Sequence, residues 1–166
     1  MSHELKGKSN EWYTPKYIFD AMEVVFDLDV AAPLVPNFYH VPCESRITKV
    51  DCGLRSNWDG FVWMNPPFGN QKNKLLWINK FIEHGNGIAL MPDRSSASWW
   101  QLFCKNSDVI LNVSKKIKFI RPDGTTGDSP SNGTTLFAIG AKGVQALKAA
   151  QSNDLGILLT NKIKNP

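Results

Sequence analysis

Two rhythms of apolar and polar positions run along the chain, one near 3.6 residues and one of short unbroken apolar runs. Ile18, Met22 and Val25 share a helical stripe with Phe19 and Phe26 beside it. That predicts a helix with Thr14 as N-cap and Pro15 at its first position, stopping near Phe26. Residues 26–32 (FDLDVAA) read as a short strand, broken by Pro33 and Pro36. Residues 46–50 (RITKV) read as a second, ended by Asp51-Cys52-Gly53. Residues 60–64 (GFVWM) form an apolar run expected to be buried on both faces, leading straight into Asn65-Pro66-Pro67-Phe68. A helix over 74–83 follows, then a buried strand over 87–91 closed by Pro92, and a helix over 95–105 carrying Trp99, Trp100 and Phe103. These tryptophans read as packing residues. Further strands are expected at 108–113, 116–121, 134–139 and 156–160, with a helix over 142–150.

Strands alternate with helices through the middle, and two strands then come close together around a long polar loop, 122–133. The pattern predicts an α/β protein whose mostly parallel sheet carries an antiparallel edge hairpin. Ligands of such sheets sit beyond the carboxyl ends of the strands. The 166 residues suit one domain over 11–166, with residues 1–10 as a mobile lead-in. No apolar run is long enough for a membrane helix, and the polar N-terminus does not read as a secretory signal, so a cytosolic protein is expected. Three cysteines, Cys43, Cys52 and Cys104, argue for reduced thiols rather than a disulfide framework. His40, Cys43 and Cys52 lack the second close pair of a zinc site, and no metal is expected. The net charge of +4 permits a nucleic-acid partner without requiring one.

The sharpest chemistry lies at residues 65–68. Two consecutive prolines fix two φ angles and remove two N–H donors, and the residue before a proline is held extended. Asn65 and the adjacent carbonyls therefore have little freedom, and Phe68 offers a flat ring beside them. An exocyclic amino group needs such a corner. One rigid carbonyl accepts one of its hydrogens and the Asn65 oxygen the other. Both bonds draw the nitrogen toward a tetrahedral shape and free its lone pair, while the ring stacks on the base.

Asn65-Pro66-Pro67-Phe68 resembles the catalytic motif of the amino-methyltransferases that use S-adenosylmethionine. Glu11-Trp12-Tyr13-Thr14-Pro15 and Leu28-Asp29-Val30-Ala31-Ala32 are similar to the cofactor-side segments of DNA adenine methyltransferases. Asp51-Cys52-Gly53-Leu54, Trp58 and Gly60 precede the motif as in the compact N6-adenine enzymes of phages and prophages. Phe119-Ile120, Ser129-Pro130, Gly133 and Leu136-Phe137 continue the likeness, which spans about 11–140. Where larger methyltransferases carry a glycine-rich cofactor loop, this chain has Ala31, Ala32 and Pro33.

The resemblance implies a compact Rossmann-like methyltransferase fold, S-adenosylmethionine as cofactor and double-stranded DNA as partner. It implies catalytic roles for Asn65, Pro66, Pro67 and Phe68, and cofactor contacts from Tyr13, Thr14, Pro15, Asp29, Ala31 and Asp51. Asp29 would face the cofactor ammonium. Asp51 would meet either its adenine amine or its ribose hydroxyls. On the DNA side, Arg94, Lys116, Lys118, Arg121 and Ser129 are the expected contacts. Lys115, Lys116, Lys118 and Arg121 also read as a solvated edge that discourages aggregation. The rival functions are the same fold acting on cytosine N4, an RNA guanine or a protein glutamine, and a catalytically idle nucleic-acid-binding domain. The oligomeric state is not legible in the sequence.

Overall fold

The computed structural model describes residues 12–67 and 69–160. The expected lead-in and Phe68 lie outside the described residues. The chain runs α1 (Lys16–Met22), β1 (Phe26–Ala32), β2 (Cys43–Thr48), β3 (Val62–Met64), α2 (Gln71–His84), β4 (Gly87–Pro92), α3 (Ser98–Asn106), β5 (Val109–Val113), β6 (Thr134–Ile139), α4 (Ala141–Ser152) and β7 (Gly156–Thr160). The seven strands form one sheet in the order β2-β1-β3-β4-β6-β5-β7. The first four are mutually parallel. β6 is antiparallel to β4 and β5, and β7 is antiparallel to β5.

Both faces of the centre are buried, as the apolar runs require. In β4, Ile88 and Leu90 join the layer formed with α1 and α4, while Ala89 and Met91 join the layer of α2 and α3. β3 alternates in the same way, with Trp63 on one face and Val62 and Met64 on the other. Phe137 of β6 stacks on Phe103 of α3 at 4.3 Å and meets Trp100 edge-on. Truncating such a buried ring costs about 3–5 kcal/mol. Asn70 caps α2 by accepting from the Asn73 amide at 3.0 Å, and Gly85 ends it in the left-handed region at φ +73°.

Four sequence expectations are corrected. The first helix stops at Met22, because Glu23 adopts φ +51° and caps it. Pro15 occupies the N-cap position, and the Thr14 hydroxyl makes no cap, being engaged by Asn65 instead. The second strand spans Cys43–Thr48, earlier than 46–50. It is an edge strand pairing only with β1, and its exposed Glu44, Ser45 and Arg46 give no apolar alternation. Residues 116–121 do not pair with 134–139. Both edges of β6 are taken by β4 and β5, so the antiparallel side of the sheet is β6-β5-β7. Within 116–121 only Ile120 forms bridges, to Tyr13 and Thr126.

Candidate active site

A cleft of about 1080 Å³ opens at the carboxyl ends of the parallel strands. Small-molecule sites occupy ~300–1000 Å³, so this volume suits a cofactor and a second group together. The ends of β1, β3 and β4 contribute Ala32, Asn65 and Pro92 to its lining. Such a place follows from the topology, because the strand ends leave backbone and side chains uncovered by helices.

Asn65 follows the last residue of β3, and its Nδ2 donates to the Thr14 hydroxyl at 3.2 Å. That bond ties the corner to a segment 51 residues away in sequence. The Pro67 carbonyl is used by the Gly69 amide at 2.9 Å. Asn65 Oδ1 and the Pro66 carbonyl accept no hydrogen bond from the described residues. Prolines at 66 and 67 bring no N–H of their own. The corner therefore offers two open acceptors held stiffly beside the cleft, with the Asn65 amide nitrogen turned to Thr14.

Asp29 lies in β1 at 2% exposure and also lines the cleft. Its Oδ1 accepts from the Ala31 amide at 3.0 Å and its Oδ2 from the Tyr39 hydroxyl at 2.8 Å. The strand register shifts between Asp29 and Ala32, which frees the Ala31 amide to turn back to the carboxylate. Burial pushes the Asp29 pKa up to about 6, against the opposing pull of the Ala31 amide, the Tyr39 hydroxyl and the Arg46 charge. The Tyr39 hydroxyl also lies 3.0 Å from Cys43 Sγ, and the Arg46 guanidinium sits over its ring at 5.4 Å. Burial, then the Asp29 charge, raises the Tyr39 phenol far above its ordinary value. The result is a carboxylate poised for a cationic partner that the protein itself supplies only at a distance.

The next wall is the turn after β2. Cys52, Gly53 and Leu54 line the cleft there. A Cβ on Gly53 would stand 2.1 Å from the Val30 carbonyl and 2.7 Å from the Trp77 ring, so only glycine fits. Lys80 of α2 holds this turn by donating to the carbonyls of Gly53, Leu54 and Ser56 at 3.0, 3.0 and 2.6 Å. Its ammonium also sits 4.9 Å from the centre of the Trp58 ring, and Trp58 Nε1 donates to the Gly53 carbonyl at 2.9 Å. Asp51 is exposed and outside the lining, whereas Thr48 and Lys49 lie on it. Sequence reasoning missed Lys80, Tyr39 and Arg46. A lysine on a helix's polar face carries no signal of its own. Tyr39 stood in an aromatic run, Phe38-Tyr39-His40, inside a proline-bounded loop.

The opposite wall comes from residues 12–14 and the segment before β6. Tyr13 exchanges backbone bonds with Ile120 at 2.9 and 3.0 Å, and its hydroxyl donates to the Val35 carbonyl at 2.7 Å. Tyr13 and Thr14 line the cleft, and Pro15 is buried outside the lining. Ala31, Arg94, Arg121 and Ser129 lie on the lining as well. Arg121 donates to the Thr125 hydroxyl and the Thr126 carbonyl at 3.3 and 3.1 Å, and stands 3.5 Å from the Asp128 carboxylate. Lys116 and Lys118 are exposed and off the lining, with Lys116 reaching the Ser131 carbonyl at 3.3 Å. Among the described residues no three His, Cys, Asp or Glu side chains converge as a metal site, and no helix is long and apolar enough to cross a membrane.

A mixed sheet with an acceptor corner at one strand end and a buried carboxylate at the next is compatible with a class, the α/β methyltransferases that act on amino groups. The family model described as DNA N-6-adenine-methyltransferase (Dam) matches residues 1–149, and the chain belongs to that family. It is similar to the DNA N-6-adenine-methyltransferase of Haemophilus phage HP1 (strain HP1c1), with 25% identity over 127 residues, 72% of this chain and 71% of the phage protein. No solved structure matches. The activity is methylation of adenine N6 in DNA, and the family implies S-adenosylmethionine as methyl donor.

Proposed function

We propose that this protein methylates an adenine extruded from double-stranded DNA, with S-adenosylmethionine in the half of the cleft lined by β1 and the turn after β2. The donor set fits that cofactor. Asp29 offers a buried carboxylate to an ammonium, and Val30, Leu54 and Trp77 offer apolar walls to a ring. When bound, S-adenosylmethionine supplies a methyl group already activated on a positively charged sulfur.

The observation that carries the reading is the pair of acceptors at the corner, Asn65 Oδ1 and the Pro66 carbonyl. Together they accept the two N–H bonds of adenine N6. Thr14 fixes the Asn65 amide so that this geometry exists before the base arrives. Held so, the nitrogen is drawn toward a tetrahedral shape and its lone pair is exposed for attack. The surplus proton leaves N6 after it has become cationic, so no strongly basic side chain is required. Extruding the base costs a few kcal/mol, offset by stacking and by these hydrogen bonds. Much of the acceleration is positional, because the reacting atoms are held in one geometry.

The test is to express the protein in a host lacking its own adenine methylation and to sequence the DNA with single-base modification detection. N6-methyladenine at a defined motif is expected, and none from a folded Asn65→Ala variant that still binds S-adenosylmethionine in calorimetry. Methylated cytosine alone, or normal methylation by Asn65→Ala, overturns the reading.

A further inference from the structure

Trp12 is large, apolar and 45% exposed at the rim of the cleft. An exposed tryptophan is ordinarily free to move, but this one is fixed on two sides. The Arg121 guanidinium lies 5.6 Å from the centre of its ring. The buried Gly127 backbone presses on its outer edge, where an added Cβ would stand 2.7 Å from the ring. Arg121 is itself immobilised by Thr125, Thr126 and Asp128.

The direction of the ring follows from the backbone. Tyr13 is bridged to Ile120 in antiparallel fashion, so the segment is extended there. Successive side chains of an extended segment point to opposite sides. Tyr13 turns inward to the Val35 carbonyl. Trp12 and Thr14 therefore share the other side, and Thr14 is the residue that holds Asn65. Two residues of extended chain place Trp12 about 7 Å along that side, roughly the long dimension of a purine whose amine sits at Asn65.

We propose that Trp12 contacts the substrate directly, as a rigid stacking surface for the ring of the extruded adenine, braced by Arg121 and Gly127. The inference rests on the adenine reading above and adds a residue to it. Base–aromatic stacking contributes about 1–3 kcal/mol. The brace keeps the indole from losing that contribution to its own ordering.

The test measures binding of the full chain to two duplexes that contain the mapped methylation motif. One carries adenine at the target position and the other is abasic there. Trp12→Ala is expected to weaken binding of the adenine duplex roughly 5- to 150-fold, the stacking contribution expressed as a ratio. It leaves the abasic duplex and S-adenosylmethionine affinity unchanged, and Trp12→Phe restores most of the loss. Arg121→Gln gives a smaller loss confined to the adenine duplex. Equal weakening of both duplexes by Trp12→Ala overturns the inference, as does a loss of cofactor affinity or no change at all. Wild-type protein that methylates no adenine overturns the underlying reading, a failure visible before any Trp12 variant is measured.

Discussion

The two walls of the cleft are built by different means. The wall on the β1 side is made by the sheet and by α2. Asp29 is buried in a strand, and Lys80 fastens the turn after β2 through three carbonyls. The opposite wall is irregular chain, stitched by single bridges at Tyr13, Ile120 and Thr126 and by the local bonds of Arg121. Sheet-borne positions are held by the whole core, whereas loop positions are held by a few bonds each. A small, constant ligand suits the first arrangement, and a long partner with variable sequence suits the second. The corner at Asn65 stands between them and is tied across to the irregular side through Thr14.

The contrast can be broken at several points. The largest effect is expected at the junction. Asn65→Ala should lower methyl transfer by at least about 10²–10³-fold, the scale seen when one preorganised polar group is removed. Single-turnover rates at saturating DNA and cofactor measure it, with cofactor affinity unchanged.

Next comes Asp29. Its folded pKa of about 6 lies above the ordinary aspartate value. Between about pH 4 and 6 the folded protein holds the proton that the unfolded chain has released. Stability of the cofactor-free protein therefore falls as pH rises through that window. Above it the full penalty remains, on the order of 3 kcal/mol. Asp29→Asn should flatten this pH dependence in denaturant titrations and raise stability at pH 7. The same variant should bind S-adenosylmethionine roughly 10- to 100-fold more weakly, consistent with loss of one buried charge pair. For the wild type, cofactor affinity should fall as pH drops below about 6, when the carboxylate is neutralised.

Lys80→Met tests whether the first wall is as well fastened as its bonds suggest. Losing a charged donor shared by three carbonyls should destabilise the protein by on the order of 2 kcal/mol. It should also weaken cofactor binding more than DNA binding, read by calorimetry against both ligands. The smallest effect is expected at the far edge of the second wall. Lys116→Ala and Lys118→Ala should each reduce the salt dependence of DNA affinity by about one ion, with methyl transfer at saturating DNA unaltered.

The parts written plainly in the sequence are those whose chemistry is local. The apolar run before Asn65 announced a strand with both faces covered, and the prolines announced a rigid exit from it. β4 and β6 were legible for the same reason. β2 was not, because an edge strand with one buried side chain, Ile47, leaves little alternation to read. The segment 116–121 has a strand-like pattern, with Ile117 buried between exposed lysines, yet β6 has no free edge to receive it. Pairing depends on which strands arrive at an edge, and local composition does not encode that. Lys80 shows the same limit within the site. It looked like surface and fastens a wall through three carbonyls.

The Tyr13–Ile120 bridge has a consequence for biosynthesis. The partner of Tyr13 leaves the ribosome more than a hundred residues later, and Thr126, which pairs with Ile120 in turn, later still. Strands β1 to β4 can begin to assemble on the nascent chain and Tyr13 can already reach the Val35 carbonyl, but its backbone pairing with Ile120 waits until translation has passed that point. The wall that Tyr13 shares with Ile120 is thus completed late in synthesis, after the opposite wall has left the ribosome.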